Sequence, residues 1–339
     1  MTGLPAPTPI REYEGVDRAR FLEDIRPAGR PAVLRGLGAG WPAVAAGRKG
    51  PEAIVGYLKD HRPTRRVGAI VGPPGIEGRF FYSDDMRGFN FSRGEANLED
   101  VLDRLLRDAG EARPFAMAIQ SEAIPSLLPG FAQANATDLV DSHVEPRIWI
   151  GNAIRVAPHY DLKENIGVVV AGRRRFTVFP PDQLANLYPG PFELTPAGTP
   201  VSMVELARPD LDRFPRFAAA MATAQTAELA PGDAIYLPFQ WWHAVDSLDP
   251  VSIFVNYWWT EDDGAFGNAY GALVHALLTL RPLPAEQRAA WRRMFDHYVF
   301  ADGDPAAHLP PHAKGMMGPP SPEVRARLRT ALNALIKEG

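Results

Sequence analysis

Two histidines and one aspartate are spaced in this chain as a metal site would space them. His159 and Asp161 stand two residues apart in APHYDLKENIGVVVAG, at the start of a β-branched run. Residues i and i+2 of a strand share a face, so both side chains can point into one cavity. Downstream, PGDAIYLPFQWWHAV ends a strand, crosses an aromatic segment and delivers His243. Two imidazoles and a carboxylate make the facial triad of a non-haem Fe(II) centre, which leaves coordination positions open for a co-substrate and dioxygen. Each part is weak alone: H-x-D arises by chance, and a histidine after two tryptophans is ordinarily packed or capped. The set of H-x-D on a strand, a later histidine after G-D-x-I-Y-x-P, and strands around both points to iron binding.

Those residues need a β framework, and the chain supplies the pattern for one. From about residue 114, PFAMAIQ, RIWIGNAIRV, NIGVVVAG, RRFTVFPP, DAIYLP and VSIFVNYWW follow one another. Each is a short β-branched or aromatic run bounded by Gly, Pro, Asn or Asp. No long crossover helices alternate with them, and one polar, Arg/Ala-rich insert interrupts around 205–226. This pattern predicts an antiparallel barrel or double-sheet jelly roll, a mainly β fold with flanking helices. Before it, residues 1–15 read as an extended arm and VDRARFLEDIR (16–26) as a short helix stopped by Pro27. PAVLRG reads as a strand, PEAIVGYLKDH (51–61) as a helix, and RRVGAIVG and GRFFYS as strands around the turn GPPGIEG. LEDVLDRLLRD (98–108) is an amphipathic helix. After 260, helices are expected at 270–280, 285–300 and 322–339. The expected organisation is an N-terminal helix and strand region (1–113), a jelly-roll core (114–262) and a C-terminal helical region (263–339).

Composition narrows the chemistry. The 339 residues include no cysteine, which removes disulfides, thiolate nucleophiles, iron–sulfur clusters and Cys-ligated zinc. A metal must therefore be held by His, Asp, Glu or backbone oxygen. A hydrophobic share of 46% with 22% charged residues is that of a globular protein with a sizeable core. The net charge of −4 argues against a nucleic-acid-coating protein. No apolar run is long enough to span a membrane and no signal-peptide core opens the chain, so a cytoplasmic protein is expected. Abundant Gly (30) and Pro (34) suit many turns between short strands.

The ordered segments HYD, Asn165, AGRRRFTVFPPDQLANLYPGP, RFPRF, PGDAIYLPFQWWHAVDS and VNYWW resemble the JmjC/cupin-like (cupin 8) Fe(II)/2-oxoglutarate-dependent hydroxylases. Within them the chain is similar to the group containing the asparaginyl hydroxylase of hypoxia-inducible factor. The resemblance covers about 120–260 strongly. It implies that His159, Asp161 and His243 bind Fe(II), and that 2-oxoglutarate is oxidised to succinate and CO2 while a protein side chain or small molecule is hydroxylated. It implies that Arg174 pairs with the far carboxylate of 2-oxoglutarate, where the family usually has Lys; Arg can make that pair bidentate. Asn165 and Asn256 match positions lining the co-substrate pocket. The C-terminal helices resemble those through which relatives form homodimers. Two departures stand out: Val156 replaces a frequent hydroxyl, and PFAMAIQ offers no tyrosine.

Strand alternation sends Arg173 and Arg175 one way and Arg174 the other. The step from 161 to 174 is odd, so a bend or bulge must intervene, and the turn at Ala171–Gly172 offers a place for it. Trp149, Trp241, Trp242, Trp258 and Trp259 could shape a pocket, but aromatic runs in strands are mostly core, and at least half of them read so. Tyr82, Asp84 and Asp85 sit on a loop that could border the cleft. His143, His308 and His312 read as surface residues. Two other readings stay open: a non-catalytic cupin-like metal- or metabolite-binding regulatory protein, and a cupin isomerase, which ordinarily uses more histidine ligands. The acidic charge and the lack of a reader domain favour hydroxylation over histone demethylation.

Overall fold

The computed structural model describes residues 3–260 and 269–338. The chain divides into two units, Met1–Trp259 and Thr260–Gly339. The boundary expected at 262–263 lies outside the described residues.

In the first unit the strands are β1 (Thr8–Pro9), β2 (Arg11–Glu14), β3 (Ala32–Arg35), β4 (Val67–Gly72), β5 (Arg79–Phe80), β6 (Ser92–Ala96), β7 (Ala116–Ala123), β8 (Pro146–Gly151), β9 (Arg155–His159), β10 (Glu164–Ala171), β11 (Arg174–Phe179), β12 (Gln225–Leu229), β13 (Ala234–Leu237), β14 (Trp242–Ser247) and β15 (Ser252–Trp259). They form two sheets. One has six strands in the order β1-β12-β11-β14-β9-β5, the other nine in the order β2-β3-β13-β10-β15-β8-β7-β4-β6. The core strands pair antiparallel, as a jelly roll requires. Strands from before residue 114 extend both sheets at their edges.

The space between the sheets is filled by Ile10, Val33, Val169, Phe176, Val178, Leu229, Ile235 and Leu237, all almost fully buried. The other face of the nine-stranded sheet is covered by helices α1 (Pro42–Lys49), α2 (Pro51–Asp60) and α3 (Leu98–Asp108). Helix α3 buries Leu98, Val101, Leu102 and Leu105, the 3.6-period stripe read from its sequence. The polar insert holds a short helix, α4 (Phe217–Thr223), whose Phe217 and Ala220 pack with Phe179 and Trp242 behind the six-stranded sheet.

Three details differ from the sequence reading. Residues 16–26 form no single helix: an α-turn at Arg18–Arg20 passes into a π-turn at Phe21–Ile25 and a 3-10 turn at Arg26–Ala28. The wider π-turn seats both Phe21 and Ile25 in the core. The strands RRVGAIVG and GRFFYS do not pair with one another: β4 lies between β7 and β6, whereas β5 runs parallel to β9 in the opposite sheet. Finally, Ala171–Gly172 is not a hairpin turn. Strand β10 belongs to one sheet and β11 to the other, and the chain crosses between them at Gly172, whose φ is +69°. A Cβ there would lie 2.5 Å from the Val251 carbonyl oxygen, so glycine suits the corner on both counts. A register shift between Val169 and Ala171 precedes it. Together they absorb the odd step and bring Arg174 to the inner face.

The second unit contains α5 (Ala269–Thr279), α6 (Ala285–Tyr298) and α7 (Pro322–Glu338). Leu273, Val274 and Leu278 of α5, Trp291, Met294 and Tyr298 of α6, and Leu328, Leu332, Leu335 and Ile336 of α7 are exposed. No described helix is long and apolar enough to cross a membrane.

Candidate metal centre

Strands β9 and β14 set the site. His159, the last residue of β9, lies directly opposite His243 in β14. The ladder slips between His243 and Val245, with one extra residue on the β9 side. Such a bulge re-aims the side chains beside it. The two imidazole centroids are 4.3 Å apart. Asp161 follows two residues after His159, and its Oδ2 stands 3.8 Å from His243 Nε2. Ligand atoms of all three residues fall within 4.8 Å of one another, the one such His/Asp/Glu group among the described residues. Metal–ligand bonds of ~2 Å hold neighbouring donors ~3–4 Å apart, so one ion can bridge the set.

Hydrogen bonds to the backbone fix both rings. His159 Nδ1 pairs with the Ala157 carbonyl and His243 Nδ1 with that of Trp241, each at 3.0 Å. A carbonyl only accepts, so each Nδ1 carries the proton and each Nε2 presents a lone pair to the centre. Burial and the neighbouring His243 pull His159 down to about 4, which keeps it neutral and able to ligate at ordinary pH.

Asp161 is oriented by two donors. Trp258 Nε1 donates to Oδ2 at 3.0 Å, and Asn165 Nδ2 donates to the same oxygen at 3.2 Å. The chain of bonds continues: Asn256 Nδ2 donates to Asn165 Oδ1 at 3.0 Å, and Trp149 Nε1 donates to Asn256 Oδ1 at 2.7 Å. Asn165 on β10 and Asn256 and Trp258 on β15 meet because these strands pair with Gly167 opposite Asn256 and Asn165 opposite Trp258.

Arg174 is 8% exposed and faces the same cavity. Its Nε donates to Ser252 Oγ at 3.0 Å, and its guanidinium lies over the Phe254 ring, 4.7 Å from the centroid. Phe254 can lie there because residue 167 is glycine: a Cβ at 167 would fall 1.9 Å from the ring. Burial with no acid beside it pulls the Arg174 guanidinium down to about 9. Arg173 and Arg175, in contrast, point outward to Asp249 and Glu228.

The cavity has a volume of about 430 Å³. His159, Asp161, His243, Arg174, Asn165 and Asn256 all line it. Apolar walls come from Phe80, Ile150, Ile154, Val156, Val245 and Phe254. Val156 lines the cavity with Ser247, and Ser252 accepts from Arg174 Nε. The tryptophans divide: Trp241 and Trp242 are buried in the core, whereas Trp149 and Trp258 line the cavity. The sequence reading allowed these tryptophans a pocket role, and Trp258 follows Asn256 by two residues and so shares its face. It missed Arg93, Gln120 and Ser121 on the cavity wall. Tyr82 is buried against Ala157 and Val201, while Asp84, Asp85, His143, His308 and His312 are exposed.

A double-sheet jelly roll with a His-x-Asp…His cluster between its sheets defines a cupin-type barrel built around a metal-ligand set. The chain belongs to the family described as the Cupin-like domain, which it matches over residues 18–265. It is similar to HSPB1-associated protein 1 of Homo sapiens, 38% identical over 118 residues, covering 34% of this chain and 23% of that protein. It is similar to lysine-specific demethylase 8 of Danio rerio, 27% identical over 249 residues, covering 71% of this chain and 56% of that protein. Lysine-specific demethylase JMJ31 of Arabidopsis thaliana is 36% identical over 115 residues, 34% of this chain and 20% of that protein. The aligned part thus spans about a quarter of the HSPB1-associated proteins' length.

Proposed function

We propose that this protein is an Fe(II)- and 2-oxoglutarate-dependent dioxygenase that hydroxylates a protein side chain or small molecule. One observation carries the reading: an imidazole–carboxylate–imidazole set and a buried guanidinium with no acidic partner among the described residues line the same cavity. Three neutral or anionic donors of this type suit Fe(II). A buried arginine without an acid is costly unless an anion joins it, and a carboxylate fits its fork in bidentate fashion.

His159, Asp161 and His243 would hold the iron, and Arg174 would take the far carboxylate of 2-oxoglutarate. When bound, iron, 2-oxoglutarate and dioxygen supply the oxidation of a substrate C–H bond, with succinate and CO2 as co-products. The protein orients and protects. Trp258 and Asn165 fix Asp161 through Oδ2, Ser252 and Phe254 fix the Arg174 fork, and the apolar walls exclude water. Asn256 supports the same network and borders the co-substrate space. The exposed apolar residues of α5, α6 and α7 support pairing with a second copy of the chain. The net charge of −4 supports a cytoplasmic protein that does not coat nucleic acid.

The test is succinate formation from 2-oxoglutarate by purified protein given Fe(II) and oxygen, with and without candidate substrates. Iron binding without any succinate, even by slow uncoupled turnover, would instead support a metal-binding regulatory protein.

A further inference from the structure

We infer that the substrate of this site carries a carboxylate, which Arg93 binds at the cavity wall; the inference rests on the dioxygenase reading above. It follows from the charges that line the cavity. Among the described residues the titratable side chains there are Arg93, His159, Asp161, Arg174 and His243. In that reading, the imidazoles and Asp161 are taken up by the metal, and Arg174 by the co-substrate. Arg93, an exposed residue at the cavity wall, is the remaining charge, and no other lining side chain pairs with it.

Arg93 lies on the edge strand β6, opposite Ile70 of β4. Two phenylalanine faces hold it: its guanidinium is 5.1 Å from the Phe89 centroid and 5.5 Å from that of Phe91. Those rings stack on each other at 4.9 Å with an 11° interplanar angle, and Phe91 also meets Phe80 of the cavity wall. Aromatic faces fix a cation's position without neutralising it. No acidic side chain pairs with Arg93 among the described residues, whereas Arg79 and Arg155 face Glu205 and Arg66 faces Glu95. Arg93 is thus exposed, held by aromatic faces and without a carboxylate partner.

The wall beside it is polar and shaped. Ser121 has a φ of +55°, a conformation that non-glycine residues rarely adopt. It falls in a bulge of β7 between Ile119 and Glu122, and Arg147 grips it by both its hydroxyl and its carbonyl. The bulge turns Gln120 and Ser121 toward the cavity, where they can hydrogen-bond a polar group beside the carboxylate. A single guanidinium matches the single charge of a carboxylate better than a phosphate monoester, which carries nearly two. It also repels a methylated lysine, so this cavity selects against cationic side chains.

The test is affinity selection on the full-length protein loaded with Mn(II) and 2-oxoglutarate, which reads binding without turnover. One arm uses a random peptide library containing phosphoserine, the other a panel of free amino acids and small dicarboxylic acids. Enrichment of Asp- or Glu-containing peptides identifies a peptide substrate, and retention of free acids alone identifies a small one; either supports the inference. In Arg93→Gln the preference for Asp over Asn should fall at least tenfold, and Arg93→Lys should restore part of it. Equal retention of acidic and neutral members, preference for lysine or phosphoserine, or an Arg93→Gln profile matching the wild type would overturn it. Uncoupled succinate formation by the wild-type protein is measured alongside. If it occurs while the acidic preference is absent, the substrate inference fails and the dioxygenase reading stands.

Discussion

The indole N–H of Trp258 points at Asp161 Oδ2 from 3.0 Å, so the carboxylate of the metal-ligand set is aimed by a tryptophan from the opposite sheet. Asn165 donates to the same oxygen, and among the described residues no donor is bonded to Oδ1. Groups that orient a ligand typically change metal affinity ~10–100-fold when removed. Trp258→Phe keeps the ring and loses the donor. It should weaken Fe(II) or Mn(II) binding about tenfold in a competitive chelator titration. An unchanged dissociation constant would show that the bond plays no part in aiming Asp161.

Arg174 is tested by shortening its fork. Arg174→Lys keeps a charge but cannot make the two-pronged pair, and Arg174→Gln removes the charge. The affinity for 2-oxoglutarate, read by calorimetry on the Mn(II) form, should fall in the order wild type, Lys, Gln. A loss of ~2–5 kcal/mol is expected for the Gln variant. Metal binding should persist in both, because neither residue touches the ion. Equal affinities across the series would remove Arg174 from the co-substrate site.

Gly167 carries a packing prediction. An alanine there would drive its Cβ into the Phe254 ring and displace the platform beneath Arg174. Overpacking of this kind costs ~1–3 kcal/mol. Urea unfolding of Gly167→Ala should show that loss, and 2-oxoglutarate affinity should drop while the metal still binds. A variant with unaltered stability would mean that the ring moves aside freely.

The metal-free protein should be acid-sensitive through His159. Its proton is taken up near pH 6.5 in the unfolded chain but only near 4 in the folded one. The unfolded state therefore binds more protons between these values, and stability falls as pH drops through that window. The contribution is at most about 1.4 kcal/mol per pH unit. His159→Phe should flatten the pH dependence of the urea midpoint between 6.5 and 4. The same slope in the variant would place the titrating group elsewhere.

Much of this was legible in the sequence, for physical reasons that can be named. The clustering of His159, Asp161 and His243 was readable because H-x-D at a strand start shares a face by alternation, and because PGD and WWH bracket a second strand. The leucine stripe of α3 was readable because its period is that of a helix. Strand β6 was not, because SRGEA at a sheet edge is polar on both faces and shows no alternation. The pairing of β9 with β14 and of β10 with β15 is long-range, and no local pattern encodes it. For that reason the Asn165–Asn256–Trp149 chain and the Trp258 bond emerged only in three dimensions. The platform under Arg174 was hidden in the same way, since Gly167 and Phe254 are distant in sequence and adjacent in space.

The most direct test of the central claim is an anaerobic titration of the metal-free protein with Fe(II) followed by 2-oxoglutarate, monitored by visible absorption. A stoichiometric charge-transfer band should appear on addition of 2-oxoglutarate in the wild type and be absent in His159→Ala. No band in the wild type, or full iron binding and an unchanged band in His159→Ala, would contradict the account.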